Sequence, residues 1–319
     1  MPIADLIRDP VEMVASFASI PHPKIPLPVD LLRSQNHDRK NSMGANLAND
    51  NELRALAEQI NAAVKPWQAA PLVQTGGQNA FIADSSALPE QLVKDAIGSA
   101  FTSAGQRCSA ARVLFVQDDI ADKVMTMLAG AMKELKVGNP GLLSTDVGPV
   151  IDADALKILQ DHAERMDREA RLIAAAELSA EAANGTFFAP RAYELKDLGQ
   201  LQKEVFGPVL HVIRWKGDQL DAVIDQINAT GYGLTLGVHS RIDETVDRIS
   251  NGVHVGNVYV NRNQIGAVVG VQPFGGQGLS GTGPKAGGPH YLLRFATEKT
   301  VTVNTTAAGG NASLLTLGD

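Results

Sequence analysis

From residue 79 onward the apolar positions alternate between two periods. "NAFIAD" (79–84) and "ARVLFV" (111–116) are short, nearly unbroken apolar runs, which read as buried strands. Between them "LPEQLVKDAIGSAFTSA" spaces its apolar residues as a helix does, with Ser85 or Ser86 as its start and Pro89 in its first turn. "DIADKVMTMLAGAMKEL" is a second helix, stopped by Gly138 and Pro140 of "VGNPG". Further along, "PVLHVIRW", "LTLGVHS" and "HVGNVYVN" are apolar, β-branched runs separated by helical segments such as "DQLDAVIDQINA". This alternation predicts an α/β fold with a largely parallel sheet.

Upstream, "NELRALAEQINAAV" sets Leu53, Leu56, Ile60 and Val64 on one helical face. Before it, "PHPKIPLPVD" (21–30) holds four prolines in ten positions, so it reads as an extended linker. No internal repeat or low-complexity tract interrupts the pattern.

Composition narrows the classes. With 319 residues and 44% hydrophobic content the chain can bury a sizeable core. A net charge of -7, with both signs interspersed, provides no basic stripe, so neither nucleic acid nor an anionic membrane is an expected partner. A single cysteine excludes an internal disulfide, and a reducing cytoplasm is the expected location. Asp5, Arg8, Asp9 and Glu12 interrupt the apolar stretch a signal peptide needs, and no later segment reaches the length of a membrane span.

That cysteine, Cys108, lies in "FTSAGQRCSAARV", on a turn between a helix and a strand. Free cysteine is often a small buried hydrophobe. A reactive thiol instead needs exposure and a stabilised thiolate, and Arg107 and Gly105 beside it suit that. The residues alone leave filler and nucleophile equally open. His211, His239 and His254 fall in strand-like runs without metal-ligand spacing, so no metal site is expected, while a distant Cys–His pair stays open. "GGQGLSG" (275–281) matches G-x-G-x-x-G. It is not read as a dinucleotide fingerprint, because "TGPKAGGP" after it cannot start a helix. It is expected to be a glycine-rich loop whose backbone is held close to something, such as a ligand. "KEVFGPVL" and "TGGQNA" each read alone as ordinary turns into strands.

In this order the motifs say more. "TGGQN", "SAGQRCSAARV", "GPVID", "KEVFGPVL", "GYGLTLGVHS", "GNVYVNR" and "QPFGGQGLSGTG" resemble the catalytic half of the aldehyde dehydrogenase superfamily. "NRNQIGAVVGVQPFGGQGLSGTGPKAGGPHYL" resembles more narrowly the L-glutamate γ-semialdehyde (1-pyrroline-5-carboxylate) dehydrogenase modules of the bifunctional proline utilization A family. "DPVEMVASFASIPHPKIPLP" and "VTVNTTAAGGNASLLTLG" resemble that family's linker and C-terminal tail. The resemblance implies an aldehyde dehydrogenase catalytic-domain fold, NAD as cofactor, and no metal. The implied substrate is a small aldehyde with an amino-acid end. It implies Cys108 as the nucleophile, whose thiolate adds to the aldehyde carbon beside an oxyanion-binding N–H. Glu204 and Phe206 match residues that touch the nicotinamide ribose and ring. Arg107, Ser109, Gly266, Ala267 and Phe274 match the substrate-binding positions, with backbone N–H groups for the carboxylate.

The departures from the family pattern matter as much. The family places a nucleotide-binding domain of roughly 100–200 residues ahead of the "GGxN" strand, whereas this chain runs from "PWQAAPLV" directly into "QTGGQN". The asparagine that completes the family's oxyanion hole is absent with that domain. Gln74 stands where the family has the glutamate that activates water, and an amide cannot accept that proton. No proline dehydrogenase domain is present, so no flavin is expected. The expected organisation is a linker and helical remnant at 1–78, a catalytic domain at 79–290, and an oligomerisation strand and tail at 291–319. "TVTVNTTA" in that tail would pair copies of the chain. The dehydrogenase is expected to be impaired; a non-redox thiol esterase-like activity and an inactive scaffold are the alternatives.

Overall fold

In the computed structural model, which describes residues 76–304, the apolar runs form the middle of a seven-stranded sheet. The linker at 21–30, the helix bearing Leu53 and Ile60, Gln74, and the tail beyond residue 304 lie outside the described residues. In chain order the elements are β1 (Ala80–Ala83), α1 (Pro89–Phe101), β2 (Val113–Gln117) and α2 (Asp118–Lys133). Then come α3 (Ala153–Glu169), β3 (Arg171–Ala175), β4 (Arg191–Leu195), β5 (Val209–Trp215) and α4 (Leu220–Ala229). The last are β6 (Tyr232–Gly233), β7 (Thr235–His239), α5 (Asp243–Gly252), β8 (Asn257–Val260) and β9 (Gln277–Gly278).

The sheet order is β3-β4-β5-β2-β1-β7-β8. Every pairing in it is parallel except β3 with β4. The central strands are apolar on both faces, as a sheet covered by helices requires. Phe81, Ile82, Leu114, Phe115 and Val116 are fully buried, in one core with Leu92 and Phe101 of α1 and Val124, Leu128 and Met132 of α2. Burying each large apolar side chain of this kind contributes about 1.5–3 kcal/mol.

α1 starts later than Ser85 or Ser86 would place it, with Leu88 as its N-cap and Pro89 at its first position. The serine is used elsewhere: Ser86 Oγ donates to Asp84 Oδ1 at 2.5 Å and accepts from Arg241 N at 2.7 Å. Asp84 Oδ2 also accepts from Ser240 Oγ at 2.5 Å, and Ser240 N donates to Asn261 Oδ1 at 3.1 Å. This closed network caps the carboxyl ends of β1, β7 and β8. The G-x-G-x-x-G segment carries β9, which pairs antiparallel with β6, and no α-helix follows it among the described residues.

Two glycines here admit the close approach of the protein's own backbone. A Cβ on Gly256 would collide with Gly275 O, and one on Gly278 with Gly231 O. Residues 296–304 form no ladder among the described residues, and Val301 and Val303 are exposed. No helix among the described residues is long and apolar enough to cross a membrane.

Candidate active site

Parallel register brings four strand beginnings to one edge. Ala80 pairs with Val113 on one side and Leu236 on the other, and Val113 pairs with His211. The residues just ahead, Asn79 and Arg112, therefore lie side by side, with Thr235 next to Asn79. The turn 102–112, between α1 and β2, packs on this edge. Ser103, Ala104 and Gly105 all have left-handed backbone, with φ of 58°, 53° and 64°. Only glycine fits at 105, because a Cβ there would collide with Gly207 O.

Buried side chains hold the carbonyls of this turn. Arg112, 1% exposed, donates from Nη1 to Gly105 O at 2.8 Å and to Gly207 O at 3.1 Å, and from Nη2 to Arg107 O at 3.2 Å. Asn79 Nδ2 donates to Cys108 O at 2.7 Å and to Ala110 O at 3.0 Å. Ser109 O accepts from Thr235 Oγ1 and Gln264 Nε2, each at 3.3 Å. A buried arginine needs a counterion, and Glu204 provides it: its Oε1 accepts from Arg112 Nε at 3.2 Å and Nη2 at 3.1 Å. The Phe206 ring lies on the same guanidinium, 5.0 Å from its carbon, and remains 45% exposed.

Cys108 is exposed. Partial enclosure of its sulfur pushes the thiol up from its ordinary value, the N–H groups of Ser109 and Cys108 pull it back, Glu204 adds to the rise, and Arg112 opposes it. Burial likewise pushes the Glu204 carboxyl up, partly offset by Arg112 and by a hydrogen bond from Gly77. Behind the turn, His211 Nδ1 lies 2.9 Å from Arg112 O, and its Nε2 lies 2.9 Å from His162 Nε2. A carbonyl only accepts, so His211 carries its proton on Nδ1, and His162 donates from Nε2. Burial holds His211 down to about 3 and His162 to about 4. His239 packs on the Phe81 ring and stands 3.5 Å from Asp95.

The positions matched for substrate divide. Arg107 is exposed, its Nε on Ser103 Oγ at 3.1 Å, whereas Ser109 is buried. Gln264 N donates to Ser99 Oγ of α1 at 3.1 Å, and with its Nε2 on Ser109 O this ties the start of the 265–274 loop to α1 and to the Cys108 turn. Two residues on, Gly266 is exposed at a φ of 74°, with open space where a side chain would be. Phe274 lies at the far end of that loop, paired through its backbone with Ala286. Ser280 Oγ, further along, donates to Gly76 O at 2.9 Å. Asn79, Arg112, Thr235 and Gln264 were not expected at the site. For the first two a signal exists: each is a polar residue directly ahead of an apolar strand run, where no turn chemistry requires it.

Known proteins share this arrangement of elements. The aldehyde dehydrogenase family model matches residues 53–301. The bifunctional protein PutA of Escherichia coli (strain K12) is 56% identical over 252 residues, covering 77% of this chain and 19% of that protein. The 1-pyrroline-5-carboxylate dehydrogenase of Geobacillus sp. (strain WCH70) is 37% identical over 237 residues, 74% of this chain and 45% of that enzyme. This chain thus spans about a fifth of the former and less than half of the latter. Among solved structures, a mutant of Bradyrhizobium japonicum proline utilization A superposes with a TM-score of 0.70 at 60% identity, over 75% of this chain and 24% of that one. A Thermus 1-pyrroline-5-carboxylate dehydrogenase with bound NAD gives 0.66 at 35% identity, over 74% and 48%. Sequence identity, a matched family model across most of the chain and a shared fold make it a member of the aldehyde dehydrogenase family.

Proposed function

We propose that this chain carries the aldehyde-capturing half of an NAD-dependent L-glutamate γ-semialdehyde dehydrogenase. The observation that carries this reading is the Cys108 turn: an exposed thiol with two peptide N–H groups facing its sulfur, on the edge where four strands begin. Once the thiol proton has gone to solvent, the sulfur adds to the aldehyde carbon. The carbonyl electron pair moves to oxygen, the two N–H groups receive that oxygen, and water protonates it to give a thiohemiacetal. Gly266 and Ala267 offer backbone N–H groups to the substrate's carboxylate, and Arg107 adds an exposed cation. The names of the relatives support proline catabolism as the setting.

The described residues do not fit a dinucleotide. Glu204 Oε1 is taken twice by Arg112, and its Oε2 lies where a Cβ of Gly76 would be, so the carboxylate is engaged with protein. The only described G-x-G-x-x-G segment is a strand pair without a following α-helix. Glu204 therefore acts here as a counterion to Arg112. In the experiment, L-glutamate γ-semialdehyde protects Cys108 from alkylation by iodoacetamide while NADH formation stays at background. Alkylation at an unchanged rate in the presence of aldehyde, or steady NADH production, would overturn the proposal.

A raised thiol works against both thiolate-dependent readings, aldehyde capture and esterase alike, and so makes a dormant, non-catalytic chain the second reading. The same protection experiment separates a capturing from a dormant thiol.

A further inference from the structure

The carbonyls of Arg107, Cys108, Ser109 and Ala110 are each held inward by a buried side chain. A trans peptide is planar, so holding one carbonyl inward turns the next residue's N–H outward. Asn79 holds Cys108 O, which turns the Ser109 N–H toward the sulfur. Arg112 holds Arg107 O and does the same for the Cys108 N–H. These are the two N–H groups that face the thiol. The third clamp differs in its effect. Thr235 and Gln264 hold Ser109 O, and the N–H of that peptide, on Ala110, is spent within the turn itself, donating to Arg107 O at 3.1 Å rather than facing the sulfur.

From this geometry we infer that Asn79 is a positioning residue for the nucleophile. It acts on the Cys108–Ser109 peptide, whose N–H it aims at the sulfur and at the oxygen formed there. Its orientation is unambiguous: two carbonyls can only accept, so Nδ2 faces them, and Oδ1 accepts from Thr235 N at 3.2 Å. Asn79 is 4% exposed and ahead of β1, so strand register sets its place. Arg112 has the companion role but also carries Glu204, so its removal would mix two effects.

This inference rests on the reading of Cys108 as the aldehyde nucleophile, and its test separates the two. The alkylation rate of Cys108 by iodoacetamide is measured against pH in the full chain, for the unaltered protein, Asn79→Ala and Thr235→Val. Cys108 is the only cysteine, so the label is unambiguous. Asn79→Ala is expected to slow alkylation at neutral pH about tenfold, the loss of one hydrogen bond to a thiolate, and to move the pH midpoint upward. Thr235→Val removes a hydrogen bond from the same turn without freeing either N–H, and slows alkylation less than Asn79→Ala does, with a smaller shift of the midpoint. If Asn79→Ala does not fold, Asn79→Ser keeps a short donor and makes the comparison, with a smaller slowing expected. Equal slowing in the asparagine and threonine variants, or none in the asparagine variant, overturns the inference. Absence of aldehyde protection in the unaltered protein overturns the reading of Cys108 itself, whatever Asn79 does.

Discussion

Arg112 is a charge almost wholly withdrawn from water, and Glu204 is its single carboxylate partner among the described residues. Breaking a buried pair by removing one member leaves an uncompensated charge, which costs about 3–5 kcal/mol. Glu204→Ala is therefore expected to lower the urea midpoint by that equivalent. Arg112→Met added to it should regain part of the loss, because no unpaired charge then remains. An unchanged midpoint in the single variant would show that water reaches the guanidinium. At this scale Cys108 is legible in the sequence only through its company of motifs, since an arginine and a glycine beside a thiol do not distinguish filler from nucleophile. Arg112 and Asn79 are harder to read. Their partners are carbonyls, present at every residue and invisible in a sequence, and only the register of β1 and β2 shows which ones they meet.

At the scale of elements, α3 docks on the sheet through a stripe of Leu159, His162, Ala163 and Met166, and the contact with β5 is the His162–His211 pair. Both imidazoles are held far below their ordinary 6.5, at about 4 and about 3. The unfolded chain takes up protons below 6.5 that the folded protein declines, so this contribution is whole above that pH and is lost as pH falls toward about 4. The urea midpoint should drop over that window, and His162→Gln, which keeps a donor for His211, should flatten the drop; a parallel slope in both proteins would contradict it. The same polar contact explains why α3 goes unread in the sequence: a histidine interrupts a narrow stripe of only three apolar residues. β3 is missed for a related reason. It is an edge strand whose Arg171 and Leu172 are exposed and whose pairing carries a register shift, so its pattern alternates poorly. The central strands are legible because burial on both faces makes them continuously apolar.

For the molecule as a whole, strand and helix alternation suffices to predict a parallel sheet, but not which edge of it does the chemistry. Ligands of open parallel sheets ordinarily lie beyond the carboxyl ends of the strands. Here those ends are closed at β1, β7 and β8 by Asp84, Ser240 and Asn261, and the thiol sits where strands begin. The two edges are thus unequal in what they can lose. Lys216–Gln219, leaving β5, is wholly exposed, whereas Lys203–Phe206, approaching it, holds Glu204 and the aromatic face over Arg112. A protease site placed at Lys216–Asp218 and cleaved should leave two fragments that stay joined through the β1–β7 ladder, with Cys108 alkylated at its original rate. Cleavage at Lys203–Phe206 should abolish that rate. The molecule can be severed on the side its strands leave and not on the side they enter.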